Sequence, residues 1–253
     1  MLTATEFYDQ VTSRLAALME PGPQAEIDRA VQLLVEGLDA GGVLHAFGTG
    51  HSEAFAMEIA GRAGGLIPTT KTSLRDLVIF LGYDADGLTE SDLERRPGIA
   101  AELYELARPN PADVFLIASN SGVNNSIIDM ALVAKEHGHK LIAVTSLEHT
   151  QAVTPKHASG KRLADIADVV IDNRAPYGDA TLDAGNGVKV GAVSSITAAF
   201  IAQLLTLGVV RAFTERGDVA PTYISANIPE GDAHNRALEE KYAGRLRRSK
   251  NPA

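Results

Sequence analysis

No cysteine occurs among the 253 residues, which excludes disulfides, zinc–thiolate sites and cysteine nucleophiles. Positive charge is also scarce: 23 lysines and arginines stand against 32 aspartates and glutamates, a formal charge of −9. That balance argues against a nucleic-acid or membrane-surface binder. A basic-then-apolar leader pattern, internal repeats, low-complexity tracts and flexible linkers are missing as well. The most apolar stretch, 188–210, is interrupted by Lys189, Ser194, Ser195, Thr197, Gln203 and Thr206. It is expected to be a core or dimer-interface helix rather than a membrane span. Basic residues gather only in the tail Arg245-Leu246-Arg247-Arg248-Ser249-Lys250, which reads as a solvated helix end. These absences leave a cytoplasmic globular protein with enough chain for one α/β core.

Two glycine- and serine-rich loops dominate what is present: FGTGHSE at 47–53 and ASNSGVNNS at 118–126. Each follows an apolar strand and opens a helix. Unpaired N–H groups at a helix N-terminus carry the positive end of the dipole and attract phosphate. Glycines let an anion approach the backbone, and Ser52, Ser119 and Ser121 add hydroxyl donors. Neither loop is a dinucleotide or Walker A fingerprint, because Glu53 stands where a third glycine would and Gly-Lys-Ser/Thr is missing. Tight turns and helix caps use the same residues, but two such loops together point to a phosphorylated small molecule.

The surrounding pattern is that of a parallel α/β sheet. Thr3-x-x-Glu6 predicts a capped first helix, Pro21-Gly22-Pro23 breaks it, and Gly41-Gly42 stops a second. Short apolar runs at 43–47, 66–70, 114–118, 141–145 and 169–172 predict strands. Helical segments fall at 51–63, 123–137 and 160–166, and right-handed crossovers would make the pairing parallel. A long insertion, 71–112, holds a helix at 98–107 and could cover a site. After it come a polar stretch at 173–188, a long apolar helix at 193–211, and a last helix carrying Leu238, Tyr242 and Leu246. The expected organisation is one domain: N-terminal helices at 1–40, the core at 41–215 and a C-terminal extension at 216–253. In an open sheet ligands bind where the strand order reverses. An order 2-1-3-4-5 would put that reversal between strands one and three, which deliver the two loops.

SNSGVNNS resembles the Ser-x-Ser-Gly-x-Thr phosphate loop of SIS (sugar isomerase) domains, and GTGHS resembles their first Gly-x-Gly-x-Ser loop. The resemblance spans 40–215 and implies an α/β fold: a five-stranded parallel sheet of flavodoxin-like order 2-1-3-4-5, with helices on both faces. By it, Ser52, Ser119, Ser121 and Asn124, which replaces the usual threonine, line a sugar-phosphate site. Gly48, Thr49, Gly50 and Asn120 complete the two loops, and Asn173 is a further sugar contact. GTGHSEAFAMEIAGRAGG, SNSGVNNS and PTYISANIPEGDAHN together resemble a narrower single-domain branch, linked to dehydration of N-acetylglucosamine 6-phosphate. Phosphoheptose isomerase and N-acetylmuramic acid 6-phosphate etherase are more distant likenesses.

Dehydration of a 2-acetamido sugar needs a base at C2, an acid for the C3 oxygen and donors for the enolate. Glu53 or Glu58 is expected to be the base, with Arg62, four residues after Glu58, orienting the carboxylate or the substrate. Helix-dipole stabilisation and a surface ion pair are the plainer roles for these residues. His51 or His234 is the expected acid, His234 acting from a neighbouring subunit by analogy with relatives. The other histidines read as core (His45), a helix cap (His137, His139) and a loop at the active edge (His149, His157). Asp179 and Asp183 are weaker sugar contacts. No metal or organic cofactor is expected. The expected partners are a sugar phosphate and a second copy in a homodimer with a shared site. Aldose–ketose isomerisation and non-catalytic sugar-phosphate sensing are the competing functions.

Overall fold

Thr3 opens the first helix as its capping box requires: Glu6 N donates to Thr3 Oγ1 at 3.1 Å and Thr3 N donates to Glu6 Oε2 at 3.0 Å. The computed structural model describes residues 2–89 and 92–246. Helix α1 spans Ala4–Leu18, and α2 spans Pro21–Asp39. Pro21 starts the second helix as well as ending the first, since the N–H that proline lacks has no partner at that position.

The core then alternates strand and helix. Strand β1 (Leu44–Gly48) leads through a 3-10 turn at Gly50–Ser52 into α3 (Glu53–Ile59). Next come β2 (Thr69–Thr72), then α4 (Arg75–Leu81), α5 (Asp86–Thr89), α6 (Asp92–Arg95) and α7 (Ile99–Ala107). They are followed by β3 (Val114–Ala118), α8 (Asn125–Glu136), β4 (Lys140–Thr145), α9 (Leu147–Ala152) and β5 (Val169–Asp172). A hairpin of β6 (Ala180–Gly185) and β7 (Val188–Ala192) precedes α10 (Ser194–Glu215) and α11 (Gly231–Glu239). The five core strands are all parallel in the order β2-β1-β3-β4-β5, as expected.

Alternate strand residues feed two cores, one per sheet face. Leu44, Ala46, Leu116, Ile142 and Val144 pack with α2, α3 and α10. Phe47, Phe115, Ile117, Leu141 and Ala143 pack with Leu77 of α4, Leu93 of α6, Leu103 of α7 and Ile128 of α8. Helix α10 is long and apolar enough to cross a membrane, but Ile201, Ala202, Leu205 and Val209 are buried in the first core.

Several elements differ from expectation. The second strand runs 69–72 rather than 66–70, because Leu66 and Ile67 pair with the C-terminal segment instead. Leu66 bridges Thr222 antiparallel, and Ile67 N donates to Pro221 O at 2.7 Å. The polar stretch after strand five contains β6, and β7 follows it around a turn with Asn186 and Gly187 at φ 55° and 76°. The segment 160–166 forms only a 3-10 turn at Leu163–Asp165. Leu246 lies beyond the last helical turn, which ends at Tyr242. Arg245 is no solvated helix end: its guanidinium donates to Gly41 O at 2.6 Å and to Asp113. The rest of the basic tail, from Arg247, lies outside the described residues.

Candidate functional site

The first loop is shaped by close approach. A Cβ on Gly48 would stand 2.4 Å from Ser52 O and 3.2 Å from Ala118 O, so the loop folds back on itself beside the end of β3. Gly50 adopts φ 57° to start the 3-10 turn. In the second loop Gly122 adopts φ 60°, and Ser119 Oγ accepts from its N–H at 3.1 Å. Both loops therefore leave the carboxyl ends of adjacent strands, β1 and β3, where the strand order reverses.

A cavity of about 310 Å³ opens over the first loop, lined by Gly48, Thr49, Gly50, His51 and Glu53, by Ser73, Leu74 and Arg75 after β2, and by Gly87, Leu88, Leu93 and Glu94 of the insertion; no second-loop residue lines it. Two carboxylates face it from opposite sources. Glu53 opens α3, and its Oε1 accepts from Lys71 Nζ at 2.6 Å and Ser73 Oγ at 2.8 Å. Arg75 Nε stands 3.9 Å from Oε2, which has no hydrogen bond among the described residues. Burial alone would raise the Glu53 pKa; the bonds from Lys71 and Ser73 and the charges of Lys71 and Arg75 outweigh it and hold the carboxyl below its ordinary value. Glu94, from α6 in the insertion, bridges the two loops, accepting from Thr49 Oγ1 at 3.0 Å and from Asn124 Nδ2. Asn124 is the N-cap of α8, yet its side chain turns away from the helix amides to reach Glu94, and its Oδ1 accepts from Lys156 Nζ at 3.0 Å.

The remaining loop residues surround a second, small space. Ser52, Ser119, Asn120 and Asn173 line a pocket of about 10 Å³ with Ser194 and Ser195 at the start of α10, and His51 is common to both. Asn173 Nδ2 donates to Asn120 Oδ1 at 3.1 Å, joining the second loop to the end of β5. Ser121 sits half-buried in the turn between Asn120 and Gly122.

Other expected residues lie away from the cavity. Glu58 pairs with Arg62 and accepts from Gln203 Nε2 of α10 at 2.6 Å, so its carboxylate is turned toward helix packing. Arg62 lines a different cavity, of about 670 Å³, between the end of α3, the edge of β2 and the C-terminal extension. His234 donates to Thr222 O at 2.9 Å within that extension. Asp179 accepts from Val193 N, Ser194 N and Ser194 Oγ, which makes it the cap of α10 rather than a residue of this cavity. Asp183 holds the hairpin turn through Gly185 N. His45 and His139 are buried, His137 is the C-cap of α8, His157 bonds Asp129 Oδ1 at 2.8 Å, and the His149 ring lies tilted against Tyr177. Among the described residues no three His, Asp or Glu side chains converge to hold a metal ion.

Sequence reasoning missed Lys71, Ser73, Arg75 and Glu94. None belongs to a local motif; each reaches the crevice through the sheet edge or the insertion. The one available signal was the length of that insertion.

Residues 6–146 match the SIS domain family, and the chain belongs to that family. Within it, the chain is similar to UPF0309 proteins. It is 37% identical over 241 residues to UPF0309 protein lmo0025 of Listeria monocytogenes, covering 95% of this chain and 97% of that one. UPF0309 protein BH3325 of Halalkalibacterium halodurans is 33% identical over 236 residues, 93% and 96% of the two chains. The fold is also that of a Bacteroides fragilis protein assigned as a phosphosugar isomerase involved in capsule formation: TM-score 0.53, 17% identity, 83% of this chain and 91% of that one.

Proposed function

We propose that the protein is a sugar-phosphate lyase that dehydrates N-acetylglucosamine 6-phosphate. The observation that carries this reading is the pair of carboxylates, Glu53 and Glu94, at one cavity beside the first loop, with Glu94 also bonded to Asn124 of the second. Main-chain amides and hydroxyls of the loops would hold the phosphate monoester. Glu53 suits the base better than Glu58: it lines the cavity, is favoured in its ionised form and, among the described residues, keeps one oxygen without a hydrogen bond. It would take the C2 proton of the open-chain sugar, leaving the electron pair delocalised onto the C1 carbonyl oxygen. The intermediate then expels the C3 oxygen, which leaves as water once an acid supplies a proton. Glu94 and His51 line the same cavity and are the acids within one chain; His234 would serve only across a homodimer contact. Arg62 acts, if at all, from the second cavity. The chemistry calls for no organic cofactor.

Aldose–ketose isomerisation shares the first step and differs in returning the proton to C1. The fold likeness to a protein assigned as a phosphosugar isomerase favours keeping it as the second reading. Incubation with N-acetylglucosamine 6-phosphate, followed by mass, should show loss of one water and a new ultraviolet-absorbing unsaturated amide. A ketose phosphate from a 2-hydroxy substrate, with no loss of water from the amino sugar, would overturn the lyase in favour of the isomerase. Binding without turnover across a panel of sugar phosphates would leave a sensor.

A further inference from the structure

We propose that Lys71 is a positioning residue: from the edge strand of the sheet it fixes one oxygen of Glu53, with help from Ser73, so that the other oxygen is the one offered to the substrate. This rests on the reading of Glu53 as the base. Among the described residues strand β2 takes only β1 as a partner strand, and it sets Lys71 opposite Ala46, while its neighbours Thr70 and Thr72 are buried. Lys71 lines the second cavity, and its ammonium donates to Glu53 Oε1 at 2.6 Å. Ser73 Oγ meets the same oxygen at 2.8 Å, so two donors from one segment clamp a single atom. The side chains of Glu53 and Lys71 are 19% and 31% accessible, which leaves the pair little water to screen it.

The clamp accounts for two properties a base needs. It selects one rotamer of a cavity-lining glutamate at the start of a helix, and among the described residues it leaves Oε2 without a hydrogen bond. It also favours the carboxylate over the acid. The other charged or titratable groups facing the pair are Arg75, Glu94 and His51 around the first cavity, and Arg62, Asp232, Arg236 and Glu239 around the second. Of these Arg75 stands 3.9 Å from Oε2, and its side chain is 68% accessible, so solvent weakens its hold on the carboxylate.

The test uses Lys71→Met, which keeps the stem and removes the charge, with Lys71→Arg and Ser73→Ala beside it. In substrate-free protein, the Glu53 carboxyl is titrated by carbon-13 NMR, its resonance assigned through Glu53→Gln. Removing the ammonium should move that titration upward by about one to three pH units. Lys71→Arg should restore most of the shift and Ser73→Ala should give a smaller one in the same direction. With N-acetylglucosamine 6-phosphate, Lys71→Met should move the acid limb of kcat/KM upward by the same amount. It should also lower kcat by roughly 10- to 100-fold, with KM little changed. A Glu53 titration identical in wild type and folded Lys71→Met would overturn the inference, as would an unchanged acid limb. Wild type that releases no water from the amino sugar would instead defeat the lyase reading, while the titration still decides whether Lys71 governs Glu53. If Lys71→Met fails to fold, Ser73→Ala alone must raise the Glu53 titration or the clamp is refuted.

Discussion

The two edges of the sheet each hold a carboxylate beside a cation, and they handle it in opposite ways. At the amino edge, Asp113 is 1% accessible and both its oxygens are fully used: Val43 N and Arg245 at Oδ1, His45 Nε2 and Asn110 N at Oδ2. Phe115 stacks on His45, and His139 donates to Asp113 O while accepting from Tyr104 Oη. At the carboxyl edge, Glu53 beside a cavity has one oxygen clamped, while the other has no hydrogen bond among the described residues. A buried carboxylate with every acceptor position filled is a structural lock, whereas one left half-satisfied at a cavity is available for chemistry. Both carboxyls are held below their ordinary pKa. In each, burial opposes the shift and hydrogen bonds prevail: from His45 for Asp113, and from Lys71 and Ser73 for Glu53.

The contrast predicts that substitutions at the two edges should fail differently. Glu53→Gln should reduce kcat/KM by about 10³- to 10⁴-fold. Its thermal midpoint should stay close to wild type; a large fall would make Glu53 a lock like Asp113. Asp113→Ala should cost about 3–5 kcal/mol of stability, read by urea denaturation, because His45 and Arg245 lose their buried partner. Activity per folded molecule should persist. The pH dependence follows from the same shift. With its folded pKa depressed, Asp113 contributes stability that is present above the ordinary carboxyl range, about 3.9, and is lost as pH falls through the folded value. Asp113→Asn should therefore flatten the acid side of the stability profile.

Glu94→Gln sharpens the comparison within the carboxyl edge, since Glu94 joins the loops as well as facing the cavity. A loss of about 100-fold in kcat with sugar-phosphate binding retained would mark it as the acid. Weakened binding with unchanged kcat would make it a strut. The smallest effect belongs to a site remote from both edges: Thr3→Ala should cost about 1 kcal/mol through the lost cap on α1 and leave turnover untouched.

How legible the site was depended on sequence distance. Gly48, Gly50 and Gly122 announced the two loops, and the strand reversal expected between their strands is present. The carboxylate next to the first loop, Glu53, was visible for the same local reason. Glu58, on the same helix, was an equal candidate, but its carboxylate bonds Gln203 of α10 and does not line the cavity. The hairpin of β6 and β7 had a readable Asn186-Gly187 turn that the polar composition around it obscured.

From its sequence alone this chain determined the parallel sheet, its order and the two turns at its reversal, because apolar periodicity and glycine conformation act over a few neighbouring residues. Tertiary structure decided the rest. It shifted β2 by pairing Leu66 and Ile67 with residues near Pro221, drove Arg245 onto Asp113, and brought Lys71 and Glu94 to the loops. Those contacts join residues from 18 to more than 150 positions apart. No local pattern encodes them, since they form only when packed elements bring separate charges within hydrogen-bonding range.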